Sequence, residues 1–419
     1  MKFIKYVLRR LARLIIWRYR PGIVGITGSV GKTSTKLAIE AVLKKERKVR
    51  ASSFSLNDAI GLPLTILGEW DEVKLFSREY KSGENRSKKI FFLVKVVVTS
   101  VLRLIFRSQY PEILILEYGA DHPGDLKYLL DIARPNLSVI TAIGDIPVHV
   151  EFFSGPEEVA REKSRLIEYL PSAGFAILNF DDESVMNLKE RTRAHLMTFG
   201  FARGAEIRIT AFENRKGEGK PLGISFKLEY GGGFVPVRLD GVFGKSQAYS
   251  AAAAACVGLV FGMNLVKISE ALKYYVPADS RMQLMPGIKY TYVIDDSYNA
   301  SPLSMHAALD TLRGLPGNRK IAVLGDMLEI GKYTIEAHER VGRLVAKIAD
   351  ILITVGPRAK FIAEAARDNG LRKRYIYSFD TADEAKSAVQ DLIKKGDLIL
   401  IKASHAMELH KVVEEIKAF

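Results

Sequence analysis

The glycine-rich segment GITGSVGKTST, at residues 25–35, constrains the fold of this chain most strongly. It follows an apolar run, PGIVGITGS, that is typical of a buried strand, and it precedes KLAIEAVLKKE, which is typical of a helix. Such a strand–turn–helix unit presents backbone N–H groups to an anion at the helix N-terminus. Ile26 stands where the strict phosphate-loop pattern has its first glycine. The segment predicts a phosphate-binding loop in which Lys32 reaches the β- and γ-phosphates of a nucleotide and Thr33 ligates Mg²⁺.

The rest of the chain repeats the alternation of strand and helix. The apolar runs EILILEYG, LSVITAIG and FAILNF are each followed by a helical stretch, which predicts a parallel, doubly wound sheet. Residues 205–244 alternate with period two around a GGG turn, which predicts a small antiparallel patch. TYVIDDS, KIAVLGD, DILITVG and DLILIKA then predict a second α/β sheet. The expected fold class is α/β, with a phosphate-loop doubly wound central domain and a C-terminal Rossmann-like α/β domain.

These patterns divide the 419 residues into three parts. Residues 1–20 form a basic amphipathic helix. Residues 21–277 form the central domain, with a basic insertion at about 70–110, and residues 278–419 form the C-terminal domain.

The positive charge lies at one end of the chain. Residues 1–110 hold 23 Lys and Arg against 8 Asp and Glu, whereas residues 111–419 hold 39 against 40. This concentration favours a membrane surface or an anionic ligand, and we expect no nucleic-acid partner. The apolar share of 48% excludes a largely disordered protein. A single cysteine, Cys256, forms no internal disulfide and favours a reducing compartment.

Two basic amphipathic segments leave alternatives open. The opening segment MKFIKYVLRRLARLIIWRYR lacks the layout of an export signal and is too charged to span a bilayer. It either lies on a membrane or docks on the body of the protein. KKIFFLVKVVVTSVLRLIFR, at residues 88–107, is likewise either a second interfacial helix or a buried helix that covers the first.

Several segments resemble the Mur ligase family. The loop TGSVGKTST is followed, in the family's order, by LNDAIGLPLTIL, EYGADHPGDL, VHVEFF, DDSYNASPLSM and LGDMLEIG. The resemblance runs from about Pro21 to the C-terminus and is strongest to the branch that adds D-alanyl-D-alanine. It implies an ATP-dependent ligase of peptidoglycan precursor synthesis, which joins D-alanyl-D-alanine to UDP-N-acetylmuramoyl-tripeptide through an acyl phosphate. ATP and Mg²⁺ are the implied cofactors, and a cytoplasmic monomer, with peripheral contact to an anionic membrane, is expected.

The resemblance also implies roles for individual residues. Glu117 shares a Mg²⁺ with Thr33, while His149 and a carbamylated Lys163 hold a second one. Arg281 reaches the γ-phosphate, Asp296 contacts the ribose, and Tyr298 and Asn299 border the incoming amine. The residues expected to take part in catalysis are Lys32, Lys163, His149 and Arg281. The residues expected to bind ATP are Thr27, Gly28, Ser29, Val30, Gly31, Lys32, Thr33, Ser34, Asn179, Arg281 and Asp296.

Some positions depart from the family pattern or favour another interpretation. Charged neighbours of Lys163 favour a solvated position on a helix. His405 stands where the family has an acceptor-side arginine, and the usual N-terminal UDP-binding domain is expected to be missing. A ligase acting on a different or lipid-linked acid, and a membrane-bound protein that binds nucleotide without ligating, are therefore alternatives.

Overall fold

The computed structural model describes residues 2–52, 54–72, 86–106, 108–217 and 220–418. Part of the insertion expected at about 70–110 therefore lies outside the described residues. The helices of the described chain are α1 (Lys2–Tyr19), α2 (Lys32–Leu43), α3 (Gly61–Leu67), α4 (Arg86–Ile105), α5 (Asp125–Leu130), α6 (Pro156–Glu168), α7 (Glu183–Met186), α8 (Lys245–Val260), α9 (Leu265–Leu272), α10 (Pro302–Gly314), α11 (Thr334–Val345), α12 (Lys360–Asp368), α13 (Ala382–Leu392) and α14 (His410–Ile416).

The strands of the described chain are β1 (Gly22–Thr27), β2 (Val49–Ala51), β3 (Ile113–Glu117), β4 (Leu137–Ile140), β5 (Phe175–Asn179), β6 (His195–Gly200), β7 (Ile207–Gly217), β8 (Lys220–Tyr230), β9 (Gly233–Asp240), β10 (Gln283–Gly287), β11 (Thr291–Asp295), β12 (Lys320–Gly325), β13 (Ile351–Val355), β14 (Ile376–Phe379) and β15 (Leu398–Lys402). The chain forms two compact units, each built from separate stretches of sequence. The first comprises Met1–Ala142, Glu157–Arg208 and Ser250–Tyr274, and the second comprises Ile143–Pro156, Ile209–Tyr249 and Tyr275–Phe419. The continuous domains expected from the sequence stay a prediction.

The first unit contains parallel strands in the order β2-β3-β1-β4-β5-β6. Their apolar runs are buried on both faces, as expected for a parallel sheet covered by helices. Ile26 of β1 pairs with Glu117 of β3, and Thr27 of β1 pairs with Ile140 of β4. The phosphate-loop segment and Glu117 therefore lie at the same carboxyl edge of the sheet, where open α/β sheets bind ligands.

The second unit contains a six-stranded sheet in the order β10-β11-β15-β12-β13-β14. All its neighbours pair in parallel except β10, which runs antiparallel to β11. The antiparallel pair β8–β9 turns at Gly231 and Gly232, where both residues have a positive φ that glycine tolerates. The predicted α/β class is confirmed, with parallel sheets in both units.

The two amphipathic segments form helices α1 and α4, which pack against each other. One stripe of α1, including Leu8, Leu11 and Ile15, is buried in the core of the first unit. Docking of the first helix on the body is therefore confirmed. In α4 only one narrow stripe, including Phe92 and Val96, is buried. No helix within the described ranges has the length and apolarity that crossing a bilayer requires.

Candidate active site

The phosphate-loop segment forms a tight turn between β1 and α2. Gly28 has φ +145°, and a Cβ at this position would come within 2.1 Å of the Thr141 hydroxyl. The Ser29 backbone N–H donates to the Ala142 carbonyl at 2.6 Å, which fixes the loop on the end of β4. Only glycine fits this close approach. Any larger residue at position 28 would therefore displace the loop from the end of β4.

The loop offers donors to an anion. Helix α2 begins without a side-chain cap, since Gly31 stands at its N-cap with φ +88°. The Ser29 hydroxyl is buried and finds no hydrogen-bond partner among the described residues. The Lys32 ammonium donates to the Gly28 carbonyl at 2.7 Å, so its charge lies over the turn. This arrangement fits the phosphate chain of a nucleotide, because the helix N-terminus and the ammonium both attract negative charge.

Oxygen ligands for a cation meet beside the loop. The Thr33 hydroxyl donates to Glu117 Oε2 at 3.1 Å, and Glu117 is only 1% exposed. Hydroxyl and carboxylate oxygens are the donors that Mg²⁺ prefers, and Mg²⁺ commonly takes its other ligands from phosphates and water. Within the described residues, no three His, Cys, Asp or Glu side chains cluster as a metal site. The donor set therefore fits Mg²⁺ bound together with a nucleotide.

Three residues around Glu117 were missed in the sequence. The buried Lys36 ammonium lies 3.5 Å from Glu117 Oε2 and also donates to the Phe54 carbonyl at 2.8 Å. Ser55 Oγ and Asn57 Nδ2 donate to Glu117 Oε1 at 3.0 and 3.3 Å. Lys36 lies one helical turn after Lys32, and Asn57 belongs to the LNDAIGLPLTIL segment. The spacing of Lys36 from Lys32 and the segment that contains Asn57 are visible in the sequence, but neither indicates that these side chains contact Glu117.

Lys163 lies on α6 and is 2% exposed. The pKa of Lys163 is lowered to about 7, chiefly by burial and also by the charge of Lys32, while the charges of Asp121 and Glu162 oppose the shift. The expectation of a solvated lysine is wrong, because the Lys163 side chain is buried. The charged neighbour Glu162 is buried as well and accepts a hydrogen bond from the Leu126 N–H at 3.0 Å. A lysine in this state has a substantial neutral fraction near pH 7, as carbamylation requires.

Asn179 ends β5 and is buried. Its Oδ1 accepts from the Asp181 N–H at 3.1 Å, which shapes the turn after the strand. Its expected place near the adenine stays a prediction.

A second cluster lies in the second unit, around the DDSYN segment. The Arg281 guanidinium lies over the Tyr298 ring, 3.9 Å from its centroid. The buried Lys402 ammonium lies 2.6 Å from Asp296 Oδ2 and donates to the Asn299 carbonyl at 2.7 Å. Burial raises the pKa of Asp296, while the positive charge of Lys402 opposes that shift. The structure thus brings together the four residues expected here, Arg281, Asp296, Tyr298 and Asn299. It adds Lys402, which the sequence analysis did not assign to the site.

His149 also belongs to the second unit. It has φ +68°, and its Nδ1 lies 2.7 Å from Glu329 Oε2. Glu329 is in the LGDMLEIG segment, whose role in orienting this histidine was missed. Because Lys163 belongs to the first unit, the expected pairing of His149 with Lys163 at a second Mg²⁺ stays a prediction.

Comparisons with known proteins agree on one family. The Mur ligase middle domain matches residues 26–258, and the domain described as "Mur ligase, glutamate ligase domain" matches residues 280–405. The UDP-N-acetylmuramoyl-tripeptide–D-alanyl-D-alanine ligase of Bacillus subtilis is 28% identical over 98% of this chain and 79% of its own length. The ligase of the same name from Mycobacterium bovis is 30% identical over 94% of this chain and 73% of its own length.

Solved structures share the fold. MurF from Acinetobacter baumannii has a TM-score of 0.77 at 24% identity, covering 98% of this chain and 80% of its own. MurF from Thermotoga maritima, in complex with ADP, has a TM-score of 0.76 at 24% identity, covering 98% of this chain and 83% of its own. Two family domains cover most of the sequence, and the fold is that of family members throughout. This chain belongs to the Mur ligase family.

Proposed function

We propose that this Mur ligase uses ATP to join D-alanyl-D-alanine to UDP-N-acetylmuramoyl-tripeptide in peptidoglycan precursor synthesis. The names of the relatives in Bacillus subtilis and Mycobacterium bovis support these substrates. The contact of Thr33 with Glu117, beside a loop built for phosphate, is the observation that carries the proposal. Such a site suits a reaction in which ATP activates a carboxylate.

The chemistry needs activation because an amide does not form from a carboxylate and an amine in water without an energy source. A carboxylate oxygen of the acid attacks the γ-phosphorus of ATP, the bond to the β-phosphate oxygen breaks, and ADP leaves. The amine then attacks the acyl carbon, loses a proton, and expels inorganic phosphate. Both steps depend on positioning and on neutralising phosphate charge.

Residues of the first unit carry the nucleotide part of this proposal. Backbone donors of residues 28–33 bind the phosphates, and the Lys32 ammonium moves from the Gly28 carbonyl to the β/γ oxygens. Mg²⁺, held by Thr33 and Glu117, would neutralise phosphate charge. The buried Lys36 ammonium, 3.5 Å from Glu117 Oε2, would keep the Glu117 carboxylate ionised and in position.

The remaining residues are assigned to other parts of ATP, to the amine and to a second cation. Arg281 supplies a planar fork of donors for the γ-phosphate, and Asp296 accepts from the ribose hydroxyls. Tyr298 and Asn299 border the incoming amine. The neutral amine of Lys163 suits carbamylation, which would convert it to an anion able to hold a second cation together with His149.

The enzyme is proposed to act as a monomer in the cytoplasm, at the inner face of the membrane. A basic first unit supports the membrane position, since residues 1–110 carry the net positive charge.

Substrate identity is tested by mass spectrometry of products from MgATP, a panel of acids and a panel of amines. The panel includes the UDP-linked tripeptide, the same peptide on a lipid diphosphate, and D-alanyl-D-alanine. A product whose mass equals acid plus amine minus water is expected for the UDP-linked tripeptide. If a joined product forms with a different acid and not with the UDP-linked tripeptide, the proposed substrate is wrong but the ligase activity stands. Release of phosphate without any joined product would overturn the ligase itself.

A further inference from the structure

The outward sides of α1 and α4 expose large apolar side chains to solvent. Exposed fractions reach 77% for Phe3, 69% for Trp17 and 75% for Phe91. We call this surface the outer face, and its apolar residues are Phe3, Tyr6, Leu14, Trp17, Ile90, Phe91, Val94, Val98, Val101, Leu102, Ile105 and Phe106. They outnumber all other exposed large apolar side chains of the described chain. Such a concentration marks an interaction surface and not chance exposure.

The outer face follows one side of each helix. In α4 its members recur every three or four residues from Ile90 to Ile105, which keeps them on one side of a helix. In α1, Phe3 and Tyr6 lie at one end and Leu14 and Trp17 at the other, with exposed Arg10 and Arg13 between them. Because the two helices pack together on one core, both stripes point away from that core.

A rigid base holds the outer face. Leu8 and Ile15 of α1 and Phe92 and Val96 of α4 belong to the same buried core, and Phe92 packs edge-on against Trp70. The Tyr19 hydroxyl at the end of α1 donates to the Arg103 carbonyl of α4 at 2.9 Å. The exposed stripes therefore do not result from loose packing, since the opposite stripes of the same helices are fully buried.

Charge identifies the occupant. Helix α1 carries six Lys and Arg, helix α4 carries five, and neither contains Asp or Glu. A second copy of this chain would bring the same cations face to face, which like-charge repulsion opposes. Arg9 pairs with Asp131 and Lys95 with Glu72, but both helices keep an excess of positive charge. An anionic lipid surface attracts this excess and also receives the apolar side chains. Aromatic rings such as those of Trp17 and Tyr6 suit the boundary between headgroups and acyl chains.

We propose that the outer face of α1 and α4 binds an anionic lipid surface, with both helices in the plane of the interface and their aromatic side chains inserted. This inference deepens the proposed position at the membrane and is independent of the ligase reaction. Neither helix crosses the bilayer, in agreement with the absence of a spanning helix from the described residues.

Flotation of the full chain with vesicles, without nucleotide, tests the proposal. The probes are phosphatidylcholine vesicles and vesicles in which about a third of the lipid is phosphatidylglycerol. The wild type is expected to float with the anionic vesicles at low salt and less at high salt. The variant Trp17→Ser/Phe91→Ser should lower the partition coefficient about tenfold or more, because two inserted rings are lost.

The matched control replaces two equally exposed aromatic residues of the second unit, in Phe234→Ser/Tyr290→Ser. It should float like the wild type. Equal flotation of all three proteins, or no flotation of the wild type at low salt, would overturn the proposal. A wild type that stays soluble as a dimer, and becomes a monomer in Trp17→Ser/Phe91→Ser, would show instead that a second copy covers the outer face.

Fluorescence gives an independent readout. The chain contains two tryptophans, so Trp70→Phe leaves Trp17 as the reporter. Its emission should shift to the blue on anionic vesicles, because the indole leaves water. An unshifted spectrum under conditions where the protein floats would contradict insertion. Ligation of water-soluble substrates, measured without vesicles, tests the proposed reaction separately, so failure of either proposal is visible alone.

Discussion

In the first unit, three charged residues are buried around the phosphate loop, a region that we call the loop edge: Lys36, Glu117 and Lys163. On the outer face, by contrast, large apolar side chains such as Phe3, Trp17 and Phe91 are exposed. Both regions reverse the usual distribution of polar and apolar groups. At the loop edge Lys36 and Glu117 are each other's charged partners, whereas the burial of Lys163 is only partly offset by the charges of Asp121 and Glu162. On the outer face nothing in the described chain covers the apolar groups. The difference teaches that the buried charges of the loop edge have their partners within the protein, whereas the apolar side chains of the outer face remain open to the lipid surface proposed above.

The largest effect is expected from the loop edge. Lys32→Ala should lower ligase turnover about 1,000-fold or more, because phosphate charge is no longer neutralised in the transition state. Its free energy of unfolding should change by no more than about 0.5 kcal/mol, since Lys32 is only partly buried. Steady-state release of ADP and urea denaturation measure the two quantities. Lys44→Ala, at the exposed end of the same helix, is the control and should retain activity; equal activity of both variants would contradict the phosphate-loop interpretation.

The next effect concerns the buried Lys163. Its pKa is about 7 in the folded enzyme and near 10.5 in the unfolded chain, so the unfolded chain binds more protons between these pH values. The cost of burying the ammonium is fully present below pH 7 and fades as the pH rises towards 10.5. In bicarbonate-free buffer, Lys163→Met should therefore be more stable than the wild type by a few kcal/mol at pH 7, and the gain should shrink towards about pH 10.

Denaturation of both proteins across this pH range measures the gain. A constant difference at all pH values would show that Lys163 is not buried as an ionisable group. Activity of Lys163→Met should be nearly lost, and acetate should partly restore Lys163→Ala if a carbamate acts there. A fully active Lys163→Ala variant would show that Lys163 takes no part in catalysis.

A smaller effect is expected from replacing Lys36, which tests whether its ammonium stabilises the buried Glu117 carboxylate. Lys36→Met leaves the Glu117 carboxylate buried without its cationic partner and should reduce the free energy of unfolding by about 3 kcal/mol. Added Mg²⁺ should recover part of this loss, because a cation can replace the missing charge at the carboxylate. Thermal unfolding with and without MgCl₂ makes the measurement. A variant as stable as the wild type, with no greater response to Mg²⁺, would contradict the arrangement.

The smallest effect is expected on the outer face. Arg10→Gln/Arg13→Gln removes two exposed cations between its apolar ends and should weaken binding to anionic vesicles by about 1 kcal/mol per charge at low salt. Binding to neutral vesicles should not change, because the apolar residues remain. Vesicle titration at two salt concentrations separates the contribution of charge to the binding free energy from that of the apolar side chains. Equal loss on both kinds of vesicle would show that the arginines act through folding and not through charge.

The sequence predicted the features that depend on local pattern. Apolar runs located β1, β3, β4 and β5, and the glycine spacing located the loop between β1 and α2. Strands without a continuous apolar run were missed, among them β2, β10 and β14, which contain the sequences VRA, QLMPG and IYSF. Local pattern also misplaced Lys163, because burial of a charged residue depends on what packs over it. The position of Lys36 against Glu117 likewise depends on the sheet register, which places strands far apart in sequence side by side.

The amphipathic helices show the same limit. The sequence predicted helix α1 and left membrane contact and docking as alternatives. The structure shows docking through one stripe and a second apolar stripe that stays exposed, which a single division into polar and apolar sides does not describe. In α4 the exposed apolar residues outnumber the buried ones for the same reason. Two distinct apolar stripes on one helix become visible only when its neighbours are known.

Transfer of an oxygen isotope tests the central claim, that this chain activates a carboxylate with ATP, most directly. The acid is labelled with ¹⁸O in its carboxylate and incubated with MgATP, D-alanyl-D-alanine and the enzyme. Attack of the carboxylate on the γ-phosphorus, followed by expulsion of phosphate, predicts one ¹⁸O atom in each inorganic phosphate released. Phosphate that carries no label, with its oxygen taken from water, would show that ATP is hydrolysed without activating the acid and would contradict the account.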